Sequence, residues 1–172
     1  MLATGILEKL HAYYPDAAID IMVRKGNEAL FAEHPFLHKV LIWDKKKSKY
    51  SNLCKLLLTV RKSSYDLVVN VQRFAATGLF TGFSGAKRTV GFDKNPFSFL
   101  FSDVIKHVVN TGDHGLHETE RNHLLIRSFT DEKAARPRLY FSDMDVQAIS
   151  SWTNRKFICI APASVWFTKM FP

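Results

Sequence analysis

The sequence predicts an α/β fold with a mostly parallel, doubly wound, Rossmann-like sheet. Three observations carry this. Short apolar runs alternate with amphipathic stretches along the whole chain. The run Leu67-Val68-Val69, continued at Val71, is too short and too apolar for a surface helix and suits a strand buried on both faces. Polar residues, Asn70, Gln72 and Arg73, fall at its C-terminal end, where open α/β sheets place their ligands.

The elements follow in order. Leu2, Ile6, Leu7 and Leu10 recur at helical spacing and predict a helix over residues 1–14, stopped by Pro15-Asp16. Residues 18–23 (AIDIMV) alternate and then run apolar, which predicts a strand. After the Gly26-Asn27 turn, 28–33 reads as a short helix ended by His34-Pro35. Residues 39–43 (KVLIW) form the next strand, and DKKKSK (44–49) a charged loop. Leu53, Leu56, Leu57 and Val60 share one face of a helix over 50–62. The central strand comes next, then a small apolar helix over 74–83 ended by Gly85, and a short strand at 88–91. Residues 92–102 (FDKNPFSFLFS) are aromatic and irregular. Residues 105–109 read as a strand, 111–115 as a loop, and 117–129 as a helix burying Leu124, Leu125 and Phe129. A strand is expected at 138–141. Ser142-Asp143-Met144-Asp145 then has the form of an N-cap with acidic first-turn residues, opening a helix to about residue 153. The stretch 157–161 (FICIA) predicts a last buried strand, and 162–172 a polar-aromatic loop.

A doubly wound domain should open with a strand, and here a helix comes first. The end of the chain has the form of the start of a second unit. The sequence therefore reads as a slice of a larger protein. Residues 1–155 form most of one domain that lacks its first strand, and 156–172 form the first strand and loop of the next.

The bulk composition fits a globular domain: 172 residues, 47% hydrophobic and 23% charged. The formal net charge is +8, unevenly spread. Residues 37–107 hold 13 Lys/Arg against 4 Asp and no Glu, a net of +9. Such a window either solubilises one face or meets an anionic partner such as a phosphorylated substrate, an anionic lipid surface or nucleic acid. The 14 Phe are expected mostly in the core, with a few on a binding surface. Cys54 and Cys159 lie far apart in apolar sequence and read as reduced core residues. No apolar run nears the ~20 residues that span a bilayer, and residues 1–11 lack the form of a signal peptide. A cytoplasmic chain follows, with peripheral contact on the cytoplasmic face of the inner membrane left open.

The common nucleotide, protease, hydrolase and zinc signatures are missing from the sequence. His107, His114, His117 and His123 lie close in sequence without a carboxylate or Cys at ligand spacing, so no metal site is expected. The loop 162–172 (PASVWFTKMFP) follows a predicted strand directly, a setting in which backbone N–H groups meet an anion. Ser164 can donate a hydroxyl there and Lys169 can place a point charge on a diphosphate. By composition alone a plain surface loop is the favoured reading.

Six segments, in order, resemble the N-terminal half of the bacterial lipopolysaccharide heptosyltransferases, the ADP-heptose-dependent glycosyltransferase family 9. LATGILEKLHAYYPDAAIDIMV is similar to that family's first helix and second strand, and HPFLHKVLIW to the segment before and within its next strand. YDLVVNVQRF resembles its YDLVIDLQ stretch, and SGAKRTVGF its SGA-R-IGF stretch. HETERN resembles a helix start that pairs a histidine with an arginine. IAPASVWFTKMFP resembles the PGAS…K-x-WP loop that opens the donor-binding domain. Two departures stand out: Pro162-Ala163 replaces Pro-Gly, and Met170-Phe171 replaces Arg-Trp.

The resemblance implies a GT-B architecture and inverting transfer of heptose from ADP-heptose to a lipopolysaccharide inner-core acceptor. It implies no resident cofactor; ADP-heptose is the donor substrate. Its partners are that nucleotide sugar and an anionic lipid-linked oligosaccharide. Ser164 and Lys169 match donor-phosphate positions. The family's catalytic aspartate belongs to a Gly-Asp dipeptide that would precede Met1, so the 172 residues alone are expected to be inactive. Gln72, Arg73 and Arg88 are the acceptor-side candidates, chosen because they are expected where strands end. Two rival readings are a transferase of the same class with another acceptor, and a non-enzymatic nucleic-acid-binding module in which residues 92–101 stack bases.

Overall fold

The computed structural model describes residues 2–108, 116–153 and 156–158. The chain divides into two compact units, Met1–Tyr140 and Phe141–Pro172. The first unit contains α1 (Thr4–Tyr13), β1 (Ile19–Arg24), β2 (Leu37–Trp43), α2 (Lys49–Lys62), β3 (Leu67–Asn70), α3 (Ala75–Gly82), β4 (Arg88–Phe92), β5 (Asp103–Ile105) and α4 (Glu118–His123). Short 3₁₀ turns occur at Glu28–Phe31, Ser98–Leu100 and Arg127–Phe129. The second unit contains α5 (Asp143–Thr153).

Among the described residues every strand pair is parallel, but the strands form two ladders, and β3, expected to be buried on both faces, only half-buries Leu67, Val68 and Val69. One is β1–β2, with Asp20 opposite Lys39 and Arg24 opposite Trp43. The other is β3–β4–β5, with Leu67 opposite Arg88, Asn70 opposite Gly91 and Phe92 opposite Ile105. Helix α1 serves both. Ile6 joins the core of Val90, Phe92, Leu125 and Ile126, Leu7 joins that of Ile19 and Phe31, and Leu10 packs against each. The ladders are further joined at their N-terminal ends, where the Tyr65 hydroxyl, just before β3, donates to Asp20 of β1.

Several expectations need correction. Residues 117–129 do not form one helix. Leu125 and Ile126 are both buried to about 1% exposure or less. Consecutive helical positions point 100° apart and cannot both face a single core, so α4 stops at His123 and the chain tightens into 3₁₀ geometry. Residues 138–141 are not a strand, because they bond to α1 rather than to a sheet edge. The Arg138 N–H donates to Thr4 Oγ1 (3.2 Å), and the Tyr140 hydroxyl reaches both Glu8 carboxylate oxygens (3.1 Å each). The strand expected at 105–109 is instead Asp103–Ile105. Cys54 is not core; it lies exposed on α2, and Cys159 falls outside the described residues. Phe157 and Ile158 are exposed and not in a strand, and the rest of 157–161 lies outside the described residues.

In the second unit, Ser142 caps α5 as its sequence predicts. Its hydroxyl accepts from the Asp145 N–H (3.1 Å), and Asp145 Oδ2 accepts from the Ser142 N–H (3.0 Å), a reciprocal box that satisfies two otherwise orphaned donors.

Candidate functional site

The C-terminal ends of β3, β4 and β5 gather the polar residues that a ligand would meet. Strand β3 closes on Asn70, which is 6% exposed. Its Oδ1 accepts from the Gln72 N–H (2.9 Å), while its Nδ2 has no hydrogen-bond partner among the described residues. A second amide grips the same turn from β4's side. Asn95 Nδ2 donates to the carbonyls of Gln72 and Phe74 (3.1 Å each), and Asn95 Oδ1 accepts from the Phe97 N–H (3.0 Å). This grip needs a glycine opposite it: a Cβ at Gly78 would sit 2.0 Å from Asn95 Oδ1. The turn is thus fixed by side chains, and the Gln72 and Arg73 side chains leave it exposed.

After β5, the His107 N–H donates to Asp93 Oδ1 (2.8 Å), and the ring stands edge-on to Phe92 with centroids 4.7 Å apart. Its Nδ1 is buried and unpartnered among the described residues. Burial pushes the imidazole below its ordinary pKa, and the Arg121 and Arg73 charges push it further, against Glu118. Both arginine charges thus act on the His107 ring in the same direction as its burial. Arg121 is held by Glu118 and by the Val108 carbonyl (3.4 Å), and its Nε is buried without a partner among the described residues. The helix that presents Arg121 starts on a capping box. Glu120 accepts from the His117 N–H (2.7 Å), and His117 Nδ1 accepts from the Thr119 N–H (3.3 Å).

Two orphaned buried donors, two guanidinium groups and a neutral imidazole make an edge suited to an anionic, oxygen-rich ligand. Among the described residues, no group of three or more His, Cys, Asp and Glu could hold a metal ion. The sequence histidines do not converge. His107 lies at this edge, His117 caps α4, and His123 is buried, donating through Nε2 to the Asp131 carbonyl (2.6 Å). His114 lies outside the described residues.

The structure brings Gln72 and Arg73 to this edge but not Arg88. Arg88 starts β4 and so stands at the opposite end of the strands. There it ion-pairs with Asp103 (2.5 Å) and lies over the Phe129 ring (4.3 Å). Ser164 and Lys169 lie outside the described residues. Sequence reasoning placed Asn70 at the ligand end of its strand without naming it as a site residue, and missed Asn95 and His107. An asparagine closing an apolar run was the available signal for the first; Asn95 and His107 reach the edge only through the fold. Of the aromatics expected to stack bases, Phe92 and Phe101 are core residues, 1% and 7% exposed.

No protein-family model matches the chain. A stretch of 75 residues is 31% identical to lipopolysaccharide heptosyltransferase 3 of Escherichia coli, covering 41% of this chain and 22% of that protein. A second Escherichia coli protein of that name is 29% identical over 75 residues. Over that stretch the chain is similar to these heptosyltransferases. The structure of a glycosyl transferase family 9 protein from Veillonella parvula superposes with a TM-score of 0.80, at 17% identity, over 99% of this chain and 52% of that one. The structure of E. coli ADP-heptose lipopolysaccharide heptosyltransferase II gives a TM-score of 0.66 at 18% identity, over 90% of this chain and 47% of that one. The chain thus spans about half the length of these glycosyltransferases, and the matched stretch about a fifth of the heptosyltransferase 3 sequences.

Proposed function

We propose that this chain supplies the acceptor-side wall of a heptosyltransferase, which moves heptose from ADP-heptose to a lipopolysaccharide inner-core acceptor with inversion. The observation that carries the reading is the edge of β3–β5, where the buried Asn70 Nδ2 lacks a partner among the described residues and where Arg73, His107 and Arg121 gather. A phosphorylated or carboxylated sugar offers the acceptor oxygens that those donors lack. An acceptor hydroxyl then attacks the anomeric carbon of the heptose as ADP leaves. In that reaction an aspartate takes the hydroxyl proton. Negative charge develops on the departing diphosphate, and Lys169 and Ser164 are the residues assigned to it. Gln72 and Arg73 face the acceptor. Arg88, paired at the far end of the strands, does not.

The test is ADP-heptose binding and heptose transfer by the full-length protein. Binding, weakened about tenfold or more by Lys169→Ala, is the expected result. A full-length protein that ignores ADP-heptose while Lys169 is intact overturns the reading. The transferase of the same class with another acceptor is then separated by offering other nucleotide sugars and acceptors.

A further inference from the structure

We propose, resting on the acceptor-side reading, that His117 is the positioning residue for Arg121: its imidazole, as the cap of α4, holds the guanidinium at the acceptor edge. Helix α4 spans six residues, Glu118–His123, under two turns and too short to be stable on its own. Its C-terminal end is anchored in the core. Asn122 and His123 are buried, and His123 Nε2 bonds to the Asp131 carbonyl. Its N-terminal end rests on the cap. His117 is extended there (φ −62°, ψ 153°), and its carbonyl accepts the first helical bond, from the Arg121 N–H (2.9 Å).

This cap is an imidazole, where Ser, Thr, Asp and Asn are the usual residues. Nδ1 accepts from the Thr119 N–H (3.3 Å) and lies 2.9 Å from Thr119 Oγ1, so its lone pair is free of a proton and turned into the helix. The His117 ring is exposed, so it serves the helix end rather than core packing. Glu118, the residue next to the cap, ion-pairs with Arg121 one turn on. Arg121 also donates to the Val108 carbonyl (3.4 Å), which ties α4 to the chain after β5, and its charge acts on the His107 ring. The Arg121 Nε is buried without a partner among the described residues. If the first turn unwinds, Glu118 and Arg121 no longer share a face, and three extended residues put them about 10 Å apart. The guanidinium then loses the carboxylate that aims it.

The test compares the full-length protein with its His117→Ala and His117→Asn variants. Asparagine carries Oδ1 on Cγ as histidine carries Nδ1, so it rebuilds the cap without the ring. His117→Ala should raise the acceptor KM about fivefold, the scale of a lost cap, with kcat and ADP-heptose affinity unchanged. His117→Asn should return it to within about twofold of wild type. In an Arg121→Gln background, His117→Ala should add nothing, because the histidine acts through that arginine. An acceptor KM unmoved by His117→Ala, raised equally by His117→Asn, or raised again in the Arg121→Gln background overturns the proposal. Solvent exchange of the Arg121 Nε–H, followed by NMR, reads the cap without any transfer reaction. It should be slow in wild type and His117→Asn and faster in His117→Ala; equal exchange in all three also overturns the proposal. A wild type that transfers no heptose while exchange behaves as expected fails the sugar-transfer reading and leaves the hold of His117 on Arg121 standing.

Discussion

The Tyr65 hydroxyl donates to the Asp20 carboxylate, which ties the N-terminal end of β3 to β1 across two ladders that share no backbone hydrogen bond. Asp20 also accepts from His38 Nδ1 (3.0 Å). Burial, reinforced by the bond to Asp20, pushes the Tyr65 phenol up to about 12. Tyr65→Phe should cost about 1.5 kcal/mol, the worth of a hydrogen bond to a charged group. Urea unfolding should show a lower midpoint at unchanged m. The phenol's folded pKa is raised, so its contribution is complete below pH 10 and is lost as pH climbs toward 12. Over that range the stability of wild type should fall toward that of the variant.

Gly78 tests the grip on the turn after β3. A methyl group there meets Asn95 Oδ1 at 2.0 Å, and Asn95 cannot withdraw without releasing the carbonyls of Gln72 and Phe74. Gly78→Ala should destabilise by about 2–3 kcal/mol, as overpacking does, and should also raise the acceptor KM by displacing Gln72 and Arg73. Thermal unfolding and acceptor titration check the two effects.

What the sequence made legible follows from scale. Periodicity over residues 50–62 predicts α2, and the apolar run predicts β3, because each signal is longer than its uncertainty. Strand β5 is three residues, Asp103–Ile105, with Val104 exposed. The more apolar stretch from Ile105 onward therefore drew the prediction downstream. Residues 138–141 are apolar enough for a strand, but their partner is Glu8 and Thr4 of α1, a contact more than 130 residues away. The strand predicted at 88–91 already put Arg88 first, at the end opposite Gln72 and Arg73, and its choice as an acceptor-side candidate overlooked this. The same distance effect hid the site: Asn70 and Asn95 matter because the fold brings two loops 21–25 residues apart to one turn.

Two histidines set an acid limb of stability. His34 is buried between α1 and the start of β2, edge-on to Phe36 (4.4 Å) and Tyr140 (4.8 Å). Its ring nitrogens lack hydrogen bonds among the described residues, and Glu8 lies 3.9 Å away. Burial lowers its pKa against the opposing pull of Glu8, and His107 is lowered likewise. The unfolded chain therefore takes up protons below pH 6.5 before the folded one does, so stability falls as pH drops from 6.5. His34→Phe should flatten part of that limb while leaving the neutral-pH midpoint little changed, measured by urea unfolding from pH 7 to pH 5.

Arg73, Arg121 and Arg88 separate the acceptor edge from its opposite end. Arg73 is exposed on the pinned turn, and Arg121 has one guanidinium nitrogen on Glu118 and a buried Nε without a partner among the described residues. Arg88 is spent on Asp103 and the Phe129 ring. If the acceptor's anionic groups dock at the C-terminal ends of β3–β5, Arg73→Gln and Arg121→Gln each remove a charge-assisted contact. Each should raise the acceptor KM about tenfold or more. ADP-heptose affinity should stay constant, because the residues proposed for the donor phosphates are Ser164 and Lys169. Arg121→Lys should rescue poorly, since an ammonium cannot reproduce the planar fork that holds Glu118 and the Val108 carbonyl together. Arg88→Gln should leave the acceptor KM unchanged. An acceptor KM that responds to Arg88 but not to Arg73 or Arg121 would move the acceptor to the other end of the sheet and sink this assignment.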